Sequence, residues 1–99
     1  MQKYDFVIEA VRYKNGRIDV VRGYERRGAT YTDRVLLDRT ALLERLQRGK
    51  RIVTGQRQEF LASTFSLGKP VRVLEQDGTQ VVSTLPRAGQ DELEDVPVF

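Results

Sequence analysis

The 99 residues contain neither histidine nor cysteine, and these two absences remove more functions than any motif in the chain adds. Histidine is the usual general base near neutral pH, and histidine and cysteine supply most zinc and transition-metal ligands. A His-dependent triad, a thiol nucleophile, a Cys/His zinc site and a CxxC redox pair are therefore excluded, and no disulfide can form. Long apolar runs are missing as well. The longest span only a few residues, against the roughly 20 needed to cross a bilayer. Near the start, Asp5 and Glu9 interrupt any apolar stretch of the signal-peptide kind. We therefore expect a cytoplasmic protein held together by packing alone, with no membrane association.

With 39% apolar and 31% charged residues the composition is that of a globular chain rather than a disordered one. Residues 1–99 are expected to form one domain with a small core, because a domain of about 100 residues buries only around two-thirds of its unfolded surface. The net charge of +3 is unevenly spread: residues 1–58 carry fourteen Lys and Arg against seven Asp and Glu, and residues 59–99 carry three against seven. Either the basic and acidic parts are neutralised or solvated within the fold, or the basic part meets a polyanion.

Asn15-Gly16 is the preferred pair for a two-residue type I′ turn, where both residues need positive φ. Centring a hairpin there sets Lys14 opposite Arg17, Tyr13 opposite Ile18, Val11 opposite Val20, Glu9 opposite Arg22 and Val7 opposite Tyr24. On the other side Arg12 faces Asp19, Ala10 faces Val21 and Phe6 faces Glu25. Arg12–Asp19 and Glu9–Arg22 then become cross-strand ion pairs. Both faces of this ribbon carry apolar residues, so it is expected to be sandwiched or bent. Ala29 to Leu37 reads as an extended segment. A helix over 39–48 follows, with Asp38 as N-cap, Gly49 as the C′ glycine and Leu42, Leu43 and Leu46 as its apolar stripe. Arg51 to Thr54 reads as a strand. Residues 56–69, with Phe60, Leu61, Phe65 and Leu67, read equally as strand or as a loop plugging the core. Val71–Glu75 and Thr79–Leu85 form a second hairpin about Asp77-Gly78, with Leu74 opposite Val81 and Val73 opposite Val82. The acidic segment 86–99 ends in Val96-Pro97-Val98-Phe99, and we expect Leu93, Val96 and Phe99 to dock it onto the body.

Ile8-Glu9-Ala10-Val11-Arg12, then Gly16-Arg17-Ile18-Asp19-Val20-Val21, a short helix ending in Gly49, Thr84-Leu85-Pro86, and the closing run Asp91 to Phe99 form a familiar series. In these features the chain resembles a family of small bacterial proteins classed as a domain of unknown function. Members open with a strand–turn–strand of the type Ile-x-Ala-Val-Arg…Gly-x-Ile-x-x-Val and close in an Asp-x-Leu-x-x-Leu-Pro-x-Phe type tail. This chain departs from the pattern at Glu92 and Val96, where Asn and Leu are usual. Tyr31 is the nearest counterpart of an aromatic that precedes the helix, and 55–69 has no counterpart. The resemblance implies a fold and carries no activity.

Tests for chemistry mostly end in structural explanations. Gly49-Lys50-Arg51-Ile52-Val53-Thr54-Gly55 lacks the closing Gly-Lys-Ser/Thr of a phosphate loop and follows a helix instead of preceding one, so it reads as a helix exit. Asp91, Glu92, Glu94 and Asp95 lack the spacing of a calcium loop and read as a solvated acidic tail. Glu9 reads as the ion-pair partner of Arg22. Ser63 and Ser66 lack a nucleophile-elbow context. What remains is basic surface: Arg22, Arg26, Arg27 and Arg34 from the first half, and Arg45, Arg48, Lys50, Arg51 and Arg57 from the helix and its exit. Tyr4, Tyr13, Tyr24 and Tyr31 are interleaved with them, a pattern able to track phosphates and stack bases.

The expectation is an α+β fold, a bent, mainly antiparallel sheet of five or six short strands with one helix packed on a face. The function expected is that of a non-enzymatic binding or accessory domain, with a protein partner favoured and no metal or cofactor. The alternative is a nucleic-acid-binding module using the helix exit through Arg45, Arg48, Lys50, Arg51 and Arg57. A carboxylate-based enzyme ranks a distant third.

Overall fold

The computed structural model describes residues 4–28, 30–57, 65–76, 78–85 and 90–99. Phe60 and Leu61, Ser63, the turn residue Asp77 and Pro86 lie outside them, as do the side chains of Arg57, Phe65 and Ser66. The fold is α+β. Strands β1 (Phe6–Lys14), β2 (Arg17–Arg27) and β3 (Thr30–Asp38) lead into helix α1 (Arg39–Gln47), followed by β4 (Ile52–Arg57), β5 (Phe65–Pro70), β6 (Arg72–Gln76) and β7 (Thr79–Ser83). Five strands form one sheet in the order β3-β2-β1-β4-β5, and β6 and β7 form a separate hairpin. All neighbours in the larger sheet are antiparallel except β1 and β4. That parallel pair arises because α1 carries the chain from the β3 edge across to the far side of β1.

The first turn has both residues in the left-handed region, Asn15 at φ 54° and Gly16 at φ 75°, as a type I′ turn requires. Pairs next to the turn and at the far end follow the expected register: Lys14 with Arg17, Tyr13 with Ile18, Val7 with Tyr24 and Phe6 with Glu25. The middle does not. Val11 pairs with Val21 and Arg12 with Val20, where Val20 and Asp19 were expected, and Ala10 pairs with Arg22. The reason is a pair of compensating β-bulges, one extra residue at Asp19 on β2 and one at Glu9 on β1. Each bulge shifts the side-chain alternation by one. Phe6, Ile8 and Val11 on β1 consequently share one face with Ile18 and Val21 on β2, and all five belong to the core. Apolar residues that a straight ribbon would divide between its two faces are collected on one.

Gly23 sits beside the Glu9 bulge, opposite Ile8. A Cβ there would strike the Val7 carbonyl and the Phe6 ring, so the site is closed to any side chain.

The helix starts at Asp38, whose side chain accepts the Ala41 N–H at 2.8 Å. It ends in a Schellman motif: the Lys50 N–H reaches the Arg45 carbonyl and the Gly49 N–H reaches the Leu46 carbonyl, both at 3.1 Å, with Gly49 at φ 81°. Leu42 is fully buried against the sheet, and Ala41, Leu43 and Leu46 pack around it. The β6–β7 hairpin pairs Leu74 with Val81 and Val73 with Val82, and Val71, Val82 and Leu93 complete the core. The core therefore lies between the large sheet and a second layer made of α1, the small hairpin and the C-terminal segment. Stretch 56–69 resolves in part: β4 runs on to Arg57 and β5 pairs with it as a strand.

The C-terminal residues add a short pairing. Val11 donates to the Pro97 carbonyl at 2.9 Å and accepts from the Phe99 N–H at 3.0 Å. This edge of β1 is open because β4 pairs only as far as Ile8.

Candidate binding surfaces

The helix exit gathers three of the five cations singled out from the sequence. Arg45, Arg48 and Lys50 line a groove of about 350 Å³ together with Arg26, but Asp5, Glu25 and Glu44 line it too. Arg45 Nη2 lies 2.8 Å from Glu25 Oε2, and Arg48 Nη2 lies 2.8 Å from Glu44 Oε1. Asp5 accepts the Arg51 N–H at 2.8 Å and the Arg26 guanidinium at 3.3 Å. The Arg51 N–H holds the Asp5 carboxyl below its usual value, aided by Arg26 and the Lys50 charge and opposed by burial. Arg51 is thus tied to the groove's edge by its backbone. Arg57 stands apart at the last position of β4. Cations and carboxylates alternate here, so no acid-free basic surface forms within the groove.

A second concentration lies on the outer face of the large sheet, opposite the core. Val7, Tyr24 and Val53 share this face through their pairings and are buried outside the core cluster. Beside them the Glu9 bulge presents a carboxylate only 6% exposed. Its Oε1 takes Arg22 Nε at 2.9 Å and Arg34 Nε at 2.6 Å, and its Oε2 takes the Tyr24 hydroxyl at 3.0 Å. Burial first, then Glu9, push the Tyr24 phenol above its ordinary value. The Glu9 carboxylate, followed by Tyr24, raises the Arg34 guanidinium in the same way. Arg12 and Arg22 both lie over the Phe99 ring, 4.7 and 4.8 Å from its centroid, close enough for cation–π attraction. Arg12 Nε also donates to the Phe99 carbonyl at 3.3 Å.

The third cluster is internal. Asp91 is not part of a solvated tail; its side chain is 2% exposed and faces Arg39 at 2.8 Å. It also accepts the N–H groups of Ile18 and Val82 at 2.8 and 2.9 Å. Burial pushes this carboxyl upward, but Arg39 and the two backbone donors outweigh it and hold the carboxyl below its usual value. Glu94 is engaged as well, 2.7 Å from Lys69 Nζ. The acidic second half of the chain is therefore joined to the body by specific pairs.

Three of the tyrosine hydroxyls, those of Tyr13, Tyr24 and Tyr31, make hydrogen bonds within the fold. The Tyr13 hydroxyl accepts the Leu93 N–H at 3.0 Å, and the Tyr31 hydroxyl donates to the Tyr4 carbonyl at 2.9 Å. Arg22 and Arg34 were visible in the sequence as part of a diffuse basic set. Their convergence with Arg12 was not, because it depends on the bulge at Glu9 and on the arrival of Phe99. The signal that reaches them is alternation, Arg22-x-Tyr24 on β2 set against Arg34-x-Leu36 on β3.

Among the described residues no helix is long and apolar enough to cross a membrane. Among the described residues no group of three or more Asp and Glu side chains is arranged to hold a metal ion. The chain matches no protein-family model, and comparison with curated proteins and with solved structures found no similar one.

Proposed function

We propose that this chain is a non-enzymatic binding or accessory domain and that its partner is a protein. One observation carries the reading: Glu9 and Asp91, the two buried carboxylates among the described residues, are both saturated by structural donors. A carboxylate serving acid–base chemistry must instead reach a substrate proton. A protein partner is favoured over nucleic acid by the carboxylates set among the helix-exit cations. It is favoured also by the edge position of β3, which carries the exposed Leu36. Bacterial origin, a cytoplasmic location and kinship with the family of unknown function belong to the same proposal. They rest on the sequence motifs and the cysteine-free composition.

The test is binding to mixed single- and double-stranded nucleic acid at low and moderate salt. The protein-partner reading expects no micromolar binding even at low salt. Micromolar binding with a steep salt slope, lost when Arg48, Lys50 and Arg51 are all changed to Ala, overturns it. The nucleic-acid module at the helix exit then takes its place.

A further inference from the structure

We propose that Arg12, Arg22 and Arg34 form a site for a phosphoryl dianion, such as inorganic phosphate or a phosphomonoester, on the outer face of the large sheet. This goes beyond the reading of a binding domain by naming a ligand chemistry and a place for it. Each of the three guanidinium groups is anchored through Nε: Arg12 to the Phe99 carbonyl, Arg22 and Arg34 to the same oxygen of Glu9. A guanidinium has five N–H donors in a rigid fork. The Nη groups of Arg12 and Arg22 have no hydrogen-bond partner among the described residues, and they are the groups that suit bidentate contact with a phosphoryl oxygen.

The cluster is also organised before any ligand arrives. Phe99 lies under both Arg12 and Arg22, and Glu9 clamps Arg22 to Arg34. Holding long side chains in place beforehand removes much of the ordering cost of binding. The side chains of Arg22 and Arg34 remain 38% and 63% exposed, so the clamp is buried while the forks face outward. Three guanidinium groups against Glu9 and the Phe99 main-chain carboxylate leave a surplus of one positive charge, so charge favours an anion, and the donor forks select its shape. The free Nη groups of Arg12 and Arg22 can serve the three terminal oxygens of a phosphoryl group, whereas a phosphodiester or a lone carboxylate offers two.

The experiment is calorimetric and NMR titration of the full chain with inorganic phosphate and with phosphoserine, against chloride at matched ionic strength. A single-stranded oligothymidylate serves as the diester arm. Saturable one-to-one binding of phosphate, with the Nε–H resonances of Arg12, Arg22 and Arg34 shifting together, is the expected result. Arg12→Lys keeps the charge, does not touch Glu9 and should weaken phosphate by about tenfold, since a lysine lacks the fork. Arg22→Lys should do the same or more. Phosphoserine binding as well as phosphate assigns the site to esters, and phosphate alone assigns it to the free ion. Either result upholds the site. No saturable phosphate binding overturns it, as does binding that survives both lysine variants but falls with Arg48→Ala and Lys50→Ala. Oligothymidylate binding without phosphate binding overturns it too. The protein-partner reading stands or falls separately, on nucleic-acid binding at the helix exit.

Discussion

Arg39, the first residue of the helix, and Asp91, in the C-terminal segment, form a two-point pair around a buried carboxylate, with Nε on Oδ2 at 2.8 Å and Nη2 on Oδ1 at 3.3 Å. Arg39 Nη2 also reaches the Gln80 carbonyl at 2.7 Å. With the Ile18 and Val82 N–H groups on the same carboxylate, one side chain joins the start of β2, the start of α1 and the β7 strand. Asp91→Ala leaves a guanidinium and two backbone donors without their acceptor. Loss of one partner of a buried pair is costly, and the expected destabilisation is about 3 kcal/mol, read as a lower urea midpoint with an unchanged slope.

The same pair predicts how stability responds to acid. Asp91 and Asp5 both sit below the free carboxyl value of 3.8 in the folded protein. Their contribution is therefore complete above that value and lost as pH falls through the lower folded values. Stability should stay flat from neutrality down to about pH 5 and decline below it. Asp91→Asn should lower the plateau and flatten the acid limb. An acid limb of undiminished steepness in that variant would assign the acid sensitivity to other carboxylates.

Glu9 and Tyr24 make a spectroscopic prediction. The phenol ionises above its ordinary value because it is buried and its proton is held by Glu9. In Glu9→Gln the negative charge is gone and the phenolate absorbance should rise at lower pH than in the parent. The substitution also removes the shared anchor of Arg22 and Arg34, with a stability loss of about 2 kcal/mol expected for hydrogen bonds to a charged group.

Removing residues 96–99 should cost on the order of 1–3 kcal/mol, the combined worth of the half-buried Val96 and Phe99 side chains and of two backbone hydrogen bonds. The deletion takes away the partners of the Val11 N–H and carbonyl and removes the Phe99 ring on which Arg12 and Arg22 lie. A melting temperature equal to that of the parent would show that these contacts do not bear on stability.

Local signals in this chain translated directly into local structure. Asn15-Gly16 made the type I′ turn, Asp38 and Gly49 bounded the helix, and the Leu74–Val81 register of the small hairpin followed from its turn. Each depends on residues a few positions apart, where backbone preference and side-chain capping decide. The central register of the first hairpin was not legible in the same way. A straight ribbon offers ion pairs at Arg12–Asp19 and Glu9–Arg22, and nothing nearby in sequence favours two bulges over it. Burial does: the bulges bring Ile8, Val11, Ile18 and Val21 to one face, and hydrophobic area outweighs the one ion pair given up, Arg12–Asp19. The Arg22–Glu9 contact survives the shift because long side chains reach past one position.

By itself the sequence determined the fold class, the ends of the helix and the chemistry this chain lacks, since all three follow from composition and short-range spacing. Only the tertiary structure decided that β4 lies parallel to β1, that Asp91 leaves the solvated tail for the core, and that Arg12, Arg22 and Arg34 converge on one face. Those outcomes depend on contacts between residues many positions apart. There, the competition is settled by which arrangement buries the apolar faces while leaving no buried charge without a partner.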